Sequence, residues 1–238
     1  MNKIKSTLAA AVLLTAGAAQ AEAAVIFSEG FENVAGLTAN GWQVIDFSSP
    51  TGSQQWFQGN TGVFTAQAGP DDSYVAANFL ASGPGGDVEL YLLAPELELR
   101  NGDVINFWTR TDEGGADFGD SLQTGIWDFG GLDAINPDND IGGYPTVWTE
   151  FNSVIDNLPG PTVARFGFLY TGPADILNYI GIDSVSLIRE EQPVPEPASL
   201  LLLGLGLIAT AGRLRQRHSA GHLQPALVRL RPYPPGTQ

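Results

Sequence analysis

From Ala24 to Ile188 the chain never sustains a helical hydrophobic period for three turns; it breaks into short alternating segments divided by Gly, Pro, Asn and Asp clusters. A period of two puts successive side chains on opposite faces of a pleated strand, so the pattern admits an all-β fold and argues against a helical one. In "TVARFGFLY", Ala164, Phe166, Phe168 and Tyr170 share one face, while Val163, Arg165, Gly167 and Leu169 share the other, and the aromatic face is the expected inner one. "DVINFWTRT" alternates Val104, Asn106, Trp108 and Arg110 with Ile105, Phe107 and Thr109, which suits a strand covered on both sides or nearly so.

Further strands are expected at Val25–Phe27, Trp42–Phe47, Gln55–Gln58, Tyr74–Phe79, Leu122–Trp127 and Val147–Phe151, with "NYIGIDSVSLI" closing the domain. "ELYLLAPELEL" starts as a strand, but Pro95 has no N–H for a ladder and must mark an edge or a break. About nine or ten strands make two packed sheets, a β-sandwich of one domain over residues 24–190. The stretch Asp128–Thr146 is rich in turn formers and reads as a functional or a mobile loop.

The ends have a different character. Residues 1–23 carry Lys3 and Lys5, an apolar centre from Leu8 to Ala19, and small-residue cut signals at Ala19-Gln20-Ala21 or Ala21-Glu22-Ala23, the pattern of a secretory signal peptide. Beyond Arg189 comes an acidic, proline-rich linker over 191–197, then an uncharged, mostly apolar run over 198–212. As a helix those fifteen residues reach about 22 Å, short of the roughly 30 Å hydrocarbon core. Arg213, Arg215 and Arg217 open a basic tail over 213–238, which the positive-inside rule holds in the cytoplasm. A weak, short transmembrane segment of this kind suits a temporary stop in the inner membrane.

Residues 24–190 hold 23 Asp plus Glu against four Arg and no Lys, a formal charge of 4 − 23 = −19. Such a surface repels phosphate backbones, which excludes nucleic acid as a partner and favours divalent cations. Both histidines, His218 and His222, lie in the tail, and the chain has no cysteine. The folded part therefore has no Ser-His-Asp triad, thiol nucleophile, lysine Schiff base, or Cys- or His-ligated zinc. Paired carboxylates could still cleave a glycosidic bond, so a carbohydrate-binding or carbohydrate-cleaving sandwich is the alternative to a noncatalytic one. No catalytic residue is assigned. Calcium, an oxygen-seeking ion, could use Glu29 and Glu32 of "SEGFEN" with Asp183 of "IGIDSV"; Asp112, Glu113, Asp117 and Asp120 read as solvated loop acids. Trp56 with Phe57, beside turn residues, could form a ligand platform, although aromatics of a sandwich are mostly core.

Two resemblances sharpen these expectations. "VPEPASLLLLGLGLIATAGRLRQR" resembles the PEP-CTERM sorting signal of Gram-negative bacteria, with Pro195-Glu196-Pro197, the apolar run and the arginines in order. That resemblance implies processing by an exosortase, a membrane-embedded cysteine transpeptidase, and delivery to the cell surface or extracellular matrix, often among exopolysaccharides. The family normally ends soon after the arginines, whereas this chain continues to Gln238. "FSEGFEN", Gly41-Trp42, "LLAPELELRNGDVINFWTRT", "GDSLQ" and "YIGIDSVSLI" are similar, in order, to the choice-of-anchor J domain, related to cleaved-adhesin and MAM-type jelly rolls. This implies a jelly-roll-like sandwich without catalytic apparatus, used in adhesion to polysaccharide or surface proteins. It also implies a structural calcium between an acid of the opening strand, Glu29 or Glu32, and Asp183 of the closing one. Where that family often has a second aspartate, this chain has Ser184.

Overall fold

The computed structural model describes residues 23–127, 132–134 and 144–190. The rest of the signal-peptide reading, the linker with Pro195, Glu196 and Pro197, the apolar run, and the tail with Arg213, Arg215 and Arg217 lie outside the described residues, as does most of 128–143. The folded body belongs to one compact unit, Ala21–Gln192.

The described residues are all-β and form two antiparallel sheets. The first runs β11 (Thr149–Val154), β8 (Val104–Thr111), β13 (Tyr179–Glu190), β5 (Val75–Asn78), β4 (Phe57–Gln58), with β1 (Ala23–Glu29) also on β13. The second runs β10 (Leu132–Ala134), β9 (Ser121–Trp127), β12 (Thr162–Pro173), β6 (Ser82–Leu93), β2 (Gln43–Asp46), with β3 (Ser49–Thr51) also on β6 and β7 (Leu97–Leu99) also on β12. Between the sheets lies the core, where Phe166, Phe168 and Tyr170 meet Ile105, Phe107, Ile182 and Leu187. The aromatic face of β12 is thus the inner one, as its alternation requires. Leu169, on the opposite face, packs with Tyr91, Leu93 and Trp127 in a small outer cluster. Pro95 interrupts the ladder as expected: β6 stops at Leu93, β7 resumes at Leu97, and both pair with β12.

Ala23, which one of the two cut signals would remove with the leader, is instead the first residue of β1 and pairs with Glu190. Both ends of the folded body therefore leave from the same end of the sandwich. The twelve residues of β13 span roughly 40 Å, so the turns that precede Tyr179 lie at the far end from the chain's exit.

β13 changes partner midway. Tyr179–Ile182 pair with β5, Val185–Glu190 pair with β1, and between them the ladder to β8 shifts register at Asp183–Ser186. Ser184 takes a positive φ of 51° at that shift. Over the outer face of this first half lies the loop joining β4 to β5. Phe64 from that loop stacks on Tyr74 at 4.9 Å and meets Tyr179 and Trp148 edge-on. Gly181 lies directly beneath; a Cβ there would come within 2.8 Å of Tyr74 and 2.9 Å of Phe64.

Candidate functional site

Asp183 sits where β13 passes from β5 to β1, and its side chain is fully buried. Oδ2 accepts the N–H groups of Gln67 (2.8 Å) and Ala68 (3.1 Å); Oδ1 accepts the N–H of Ser184 (2.5 Å) and its hydroxyl (3.3 Å). A carboxylate offers about four lone-pair positions, and three backbone N–H groups fill three of them; the single hydroxyl hydrogen of Ser184 is shared between Oδ1 and the nearer Gln67 Oε1 at 2.8 Å. Burial pushes the Asp183 carboxyl above its ordinary range, while these hydrogen bonds pull it down. Of the opening strand's acids, Glu29 accepts the N–H of Phe31 at 2.9 Å, and Glu32 folds back over Gly30, 2.8 Å from where a Cβ would stand. Glu32 also comes within 3.9 Å of the equivalent point at Gly69.

The three residues expected to share calcium are therefore near one another in the fold, but their oxygens do not form a cage. Among the described residues no group of three or more His, Asp or Glu side chains is placed to hold a metal. Asp183 instead acts as an acceptor that ties the loop end at Gln67 and Ala68 to the bulge in β13. Ser184, which stands where the resemblance favours a second aspartate, adds its hydroxyl to this junction through Gln67 Oε1 at 2.8 Å.

Of the two readings of Trp56, ligand platform or core, the structure shows the core one: Trp56, just before β4, is buried and packed against Tyr170 with ring centroids 6.4 Å apart. Phe57 is half-buried and meets Tyr179 edge-on at 5.8 Å.

A concave apolar surface does exist, elsewhere. A groove of about 410 Å³ opens at the end of the sandwich opposite the chain's exit. One wall is the turn Phe79–Ala81 with the start of β6 at Ser82–Pro84; the other is Phe118 with the turn Ala174–Ile176 and Leu177. Phe79, Leu80 and Phe118, with neighbouring Ile176, are among the exposed large apolar side chains of the molecule. Each wall is fixed by polar bonds. Asn78 accepts the N–H of Leu80 at 2.9 Å and so caps the first turn. Asp175 accepts the N–H of Gly85 at 3.1 Å, joining the two walls across the groove's edge.

Behind Phe118, Asp120 holds the second wall to the core. Oδ1 accepts the Tyr170 hydroxyl (2.6 Å) and the Asn178 N–H (2.9 Å), and Oδ2 faces the Thr111 hydroxyl at 3.4 Å. Burial raises the Asp120 carboxyl above its ordinary pKa, the three donors oppose that rise, and Asp112 adds to it. The acid expected to be a solvated loop residue is thus an internal fastener. Asp112 is also engaged, accepting from the side chain of Asn178 at 2.9 Å. Gly119 N–H donates to Ile176 carbonyl at 2.7 Å, and a Cβ at Gly119 would meet Ile176 Cδ1 at 2.7 Å, so a larger residue there would push the tip of the Ile176 side chain aside. The sequence holds one signal for this site: Phe118 stands inside the turn-forming run "GADFGD", where an aromatic has no strand to bury it.

Asp175 is the acid among the residues lining the groove. Glycoside hydrolysis needs two carboxyl groups facing one bond, and this lining supplies one.

Comparison with known proteins adds the following. The chain carries a PEP-CTERM protein-sorting motif over residues 193–216. Among solved structures it is similar to the K3 cleaved adhesin domain of Lys-gingipain from Porphyromonas gingivalis (19% identity over 70% of this chain and 99% of that one, TM-score 0.47). It is also similar to a xylan-binding domain from Paenibacillus barcinonensis (14%, 75% and 100%, TM-score 0.42) and to a cyclase from Fischerella (14%, 72% and 100%, TM-score 0.44). None of these likenesses bears on what this chain binds. Among curated proteins none matches the sequence. The sorting motif marks an exported surface protein and implies processing by exosortase.

Proposed function

We propose that this protein is a noncatalytic adhesive sandwich: exported, halted in the inner membrane by residues 198–212, released by exosortase at Pro195-Glu196-Pro197, and bound to extracellular polysaccharide through the groove between Phe79 and Phe118. The observation that carries the reading is the groove itself. An apolar cleft edged by exposed aromatic rings suits the C–H-rich faces of sugar rings, and the exposed Asp175 supplies a polar group that orients such a ligand. Its place at the far end from Glu190 leaves it free to face outward while the tail is still attached. The −19 charge of the folded part keeps neighbouring copies apart and leaves an uncharged polymer as the better fit than an anionic one.

The test is a glycan array with the mature secreted protein and its Phe79→Ala and Phe118→Ala variants. Binding to a neutral polysaccharide that both variants weaken at least tenfold supports the reading. Binding unaffected by either variant moves the ligand elsewhere, and release of reducing ends would make the protein a hydrolase. Mass spectrometry of the mature form reports both cut sites; persistence of residues 198–217 in protein recovered outside the cell would overturn the sorting step.

A further inference from the structure

The outer face of the first sheet is covered by the Phe64 loop only over its far half. At the end where the chain exits, one transverse row of that face runs Val154, Val104, Ile188, Val25 across β11, β8, β13 and β1. The neighbours Ile105 and Leu187 point into the core, so this row points outward. Val25 is 64% and Val154 52% exposed, with Val104 and Ile188 half-covered between them. The next row inward is wholly polar: Asn152, Asn106, Ser186, Ser28. Four aligned β-branched side chains about 15 Å across, at the rim of a domain otherwise rich in acids, are not required by the core.

We propose that this row is a bilayer-resting face of the membrane-anchored precursor, occupied by the headgroup–acyl boundary of the lipid surface. The argument is one of chain length, and it rests on the anchor reading given above. Ile188 lies two residues before the end of β13, and only residues 191–197 separate Glu190 from the apolar run. Seven extended residues reach at most about 25 Å, so Glu190 is confined to about that distance from the membrane, and the row begins two residues behind it at Ile188. A tether this short gives an effective concentration on the order of millimolar, which populates a contact too weak to hold a free protein. The weakness is built in: Glu190 and the acidic linker oppose an anionic leaflet. The contact thus lasts only while the tail is attached, and cutting the tether releases it.

The native chain has no cysteine, so one introduced cysteine carries a unique label. The full chain is reconstituted in liposomes with an environment-sensitive fluorophore at Val154→Cys or, at the opposite end, Asp87→Cys, together with nitroxide-bearing lipids. The expected result is flotation with the liposomes and several-fold stronger quenching at 154 than at 87. Cleavage at a protease site placed in the linker should bring the two labels to equal, low quenching. Flotation with equal quenching at both positions overturns the contact and leaves the anchor standing. Failure to float overturns the anchor, and the contact with it. Self-quenching between labels at 154 makes a second copy the occupant and overturns the lipid assignment.

Discussion

The bond that closes the last strand is the one whose loss should be felt most. Arg189 grips Asp103 with two parallel bonds, Nε to Oδ1 at 2.7 Å and an amino group to Oδ2 at 2.7 Å, while Arg100 N–H donates to Oδ2 at 2.8 Å. Asp103 is 1% exposed and the Arg189 side chain 18%. Hydrogen bonds to Asp103 hold the Arg189 guanidinium above its ordinary pKa. Replacing Asp103 by Ala leaves a guanidinium and a backbone N–H without their acceptor at the point where β13 and β1 end together. Breaking a fully buried pair from one side costs about 3–5 kcal/mol. Here water reaches Arg189, which also keeps its bond to the Glu98 carbonyl, so the lower figure of about 3 kcal/mol applies. For a domain of this size that is a fall of about 6–12 °C in melting midpoint.

Thermal unfolding of the mature protein, followed by circular dichroism, measures it. Arg189→Met alone and with Asp103→Ala completes a double-mutant cycle, in which the pair should be coupled by more than about 1 kcal/mol. Arg100–Glu98 is the internal control: both side chains are half-exposed, and Arg100→Ala should cost under about 1 kcal/mol and lose that in salt. A loss below about 1 kcal/mol for Asp103→Ala, or additive single variants, would refute the view that this pair closes the strand.

Asp120 and Asp183 are both raised above the ordinary carboxyl pKa of 3.8, so the folded state binds more protons than the unfolded one just above that value. Their contribution is complete below the unfolded pKa and declines as pH rises through the folded one. Asp120→Asn, which keeps an acceptor for Tyr170 and Asn178, should flatten this decline in urea titrations across pH 3.5–6.5, and a steeper decline would contradict it. Calcium and a chelator should both leave the melting midpoint unchanged, since three backbone N–H groups already engage the Asp183 carboxylate; a calcium-dependent rise, which any ligand selective for the folded state produces, would show that the junction rearranges around the ion. Gly181→Ala drives a methyl group into Tyr74 and Phe64 and should cost about 1–3 kcal/mol, with earlier protease cutting in the 59–73 loop; an unchanged digest would show that the loop is held by other bonds.

What the sequence made legible was local. Alternation placed nearly every long strand, because a strand buried on one face must repeat every second residue, and Pro95 announced its own break. The short strands β3 and β10 and the early part of β6 were not legible. The last passes through Gly83-Pro84-Gly85-Gly86, which reads as a turn, and pairs only because Pro173 and β3 are brought beside it from far along the chain.

The site follows the same division. Asp183 was found by motif, yet its place in the fold depends on Gln67 and Ala68, more than a hundred residues earlier, whose N–H groups reach its carboxylate. Trp56 stood open between platform and core because it lies beside turn residues, and its packing against Tyr170, more than a hundred residues later, decides for the core. The groove joins turns at Phe79, Phe118 and Ala174, and no spacing along the chain links them. They meet because β5, β8 and β12 all end at the same rim, and Asp120 binds Tyr170 and Asn178 there. An acid in a turn-rich run is legible as an acid; whether it is solvated or a fastener is decided by which strand ends arrive next to it. In this sandwich those arrivals decide the groove too, so a change that slips β12 by one residue would displace the wall at Ala174–Leu177 and remove the groove while leaving its residues unchanged in the sequence.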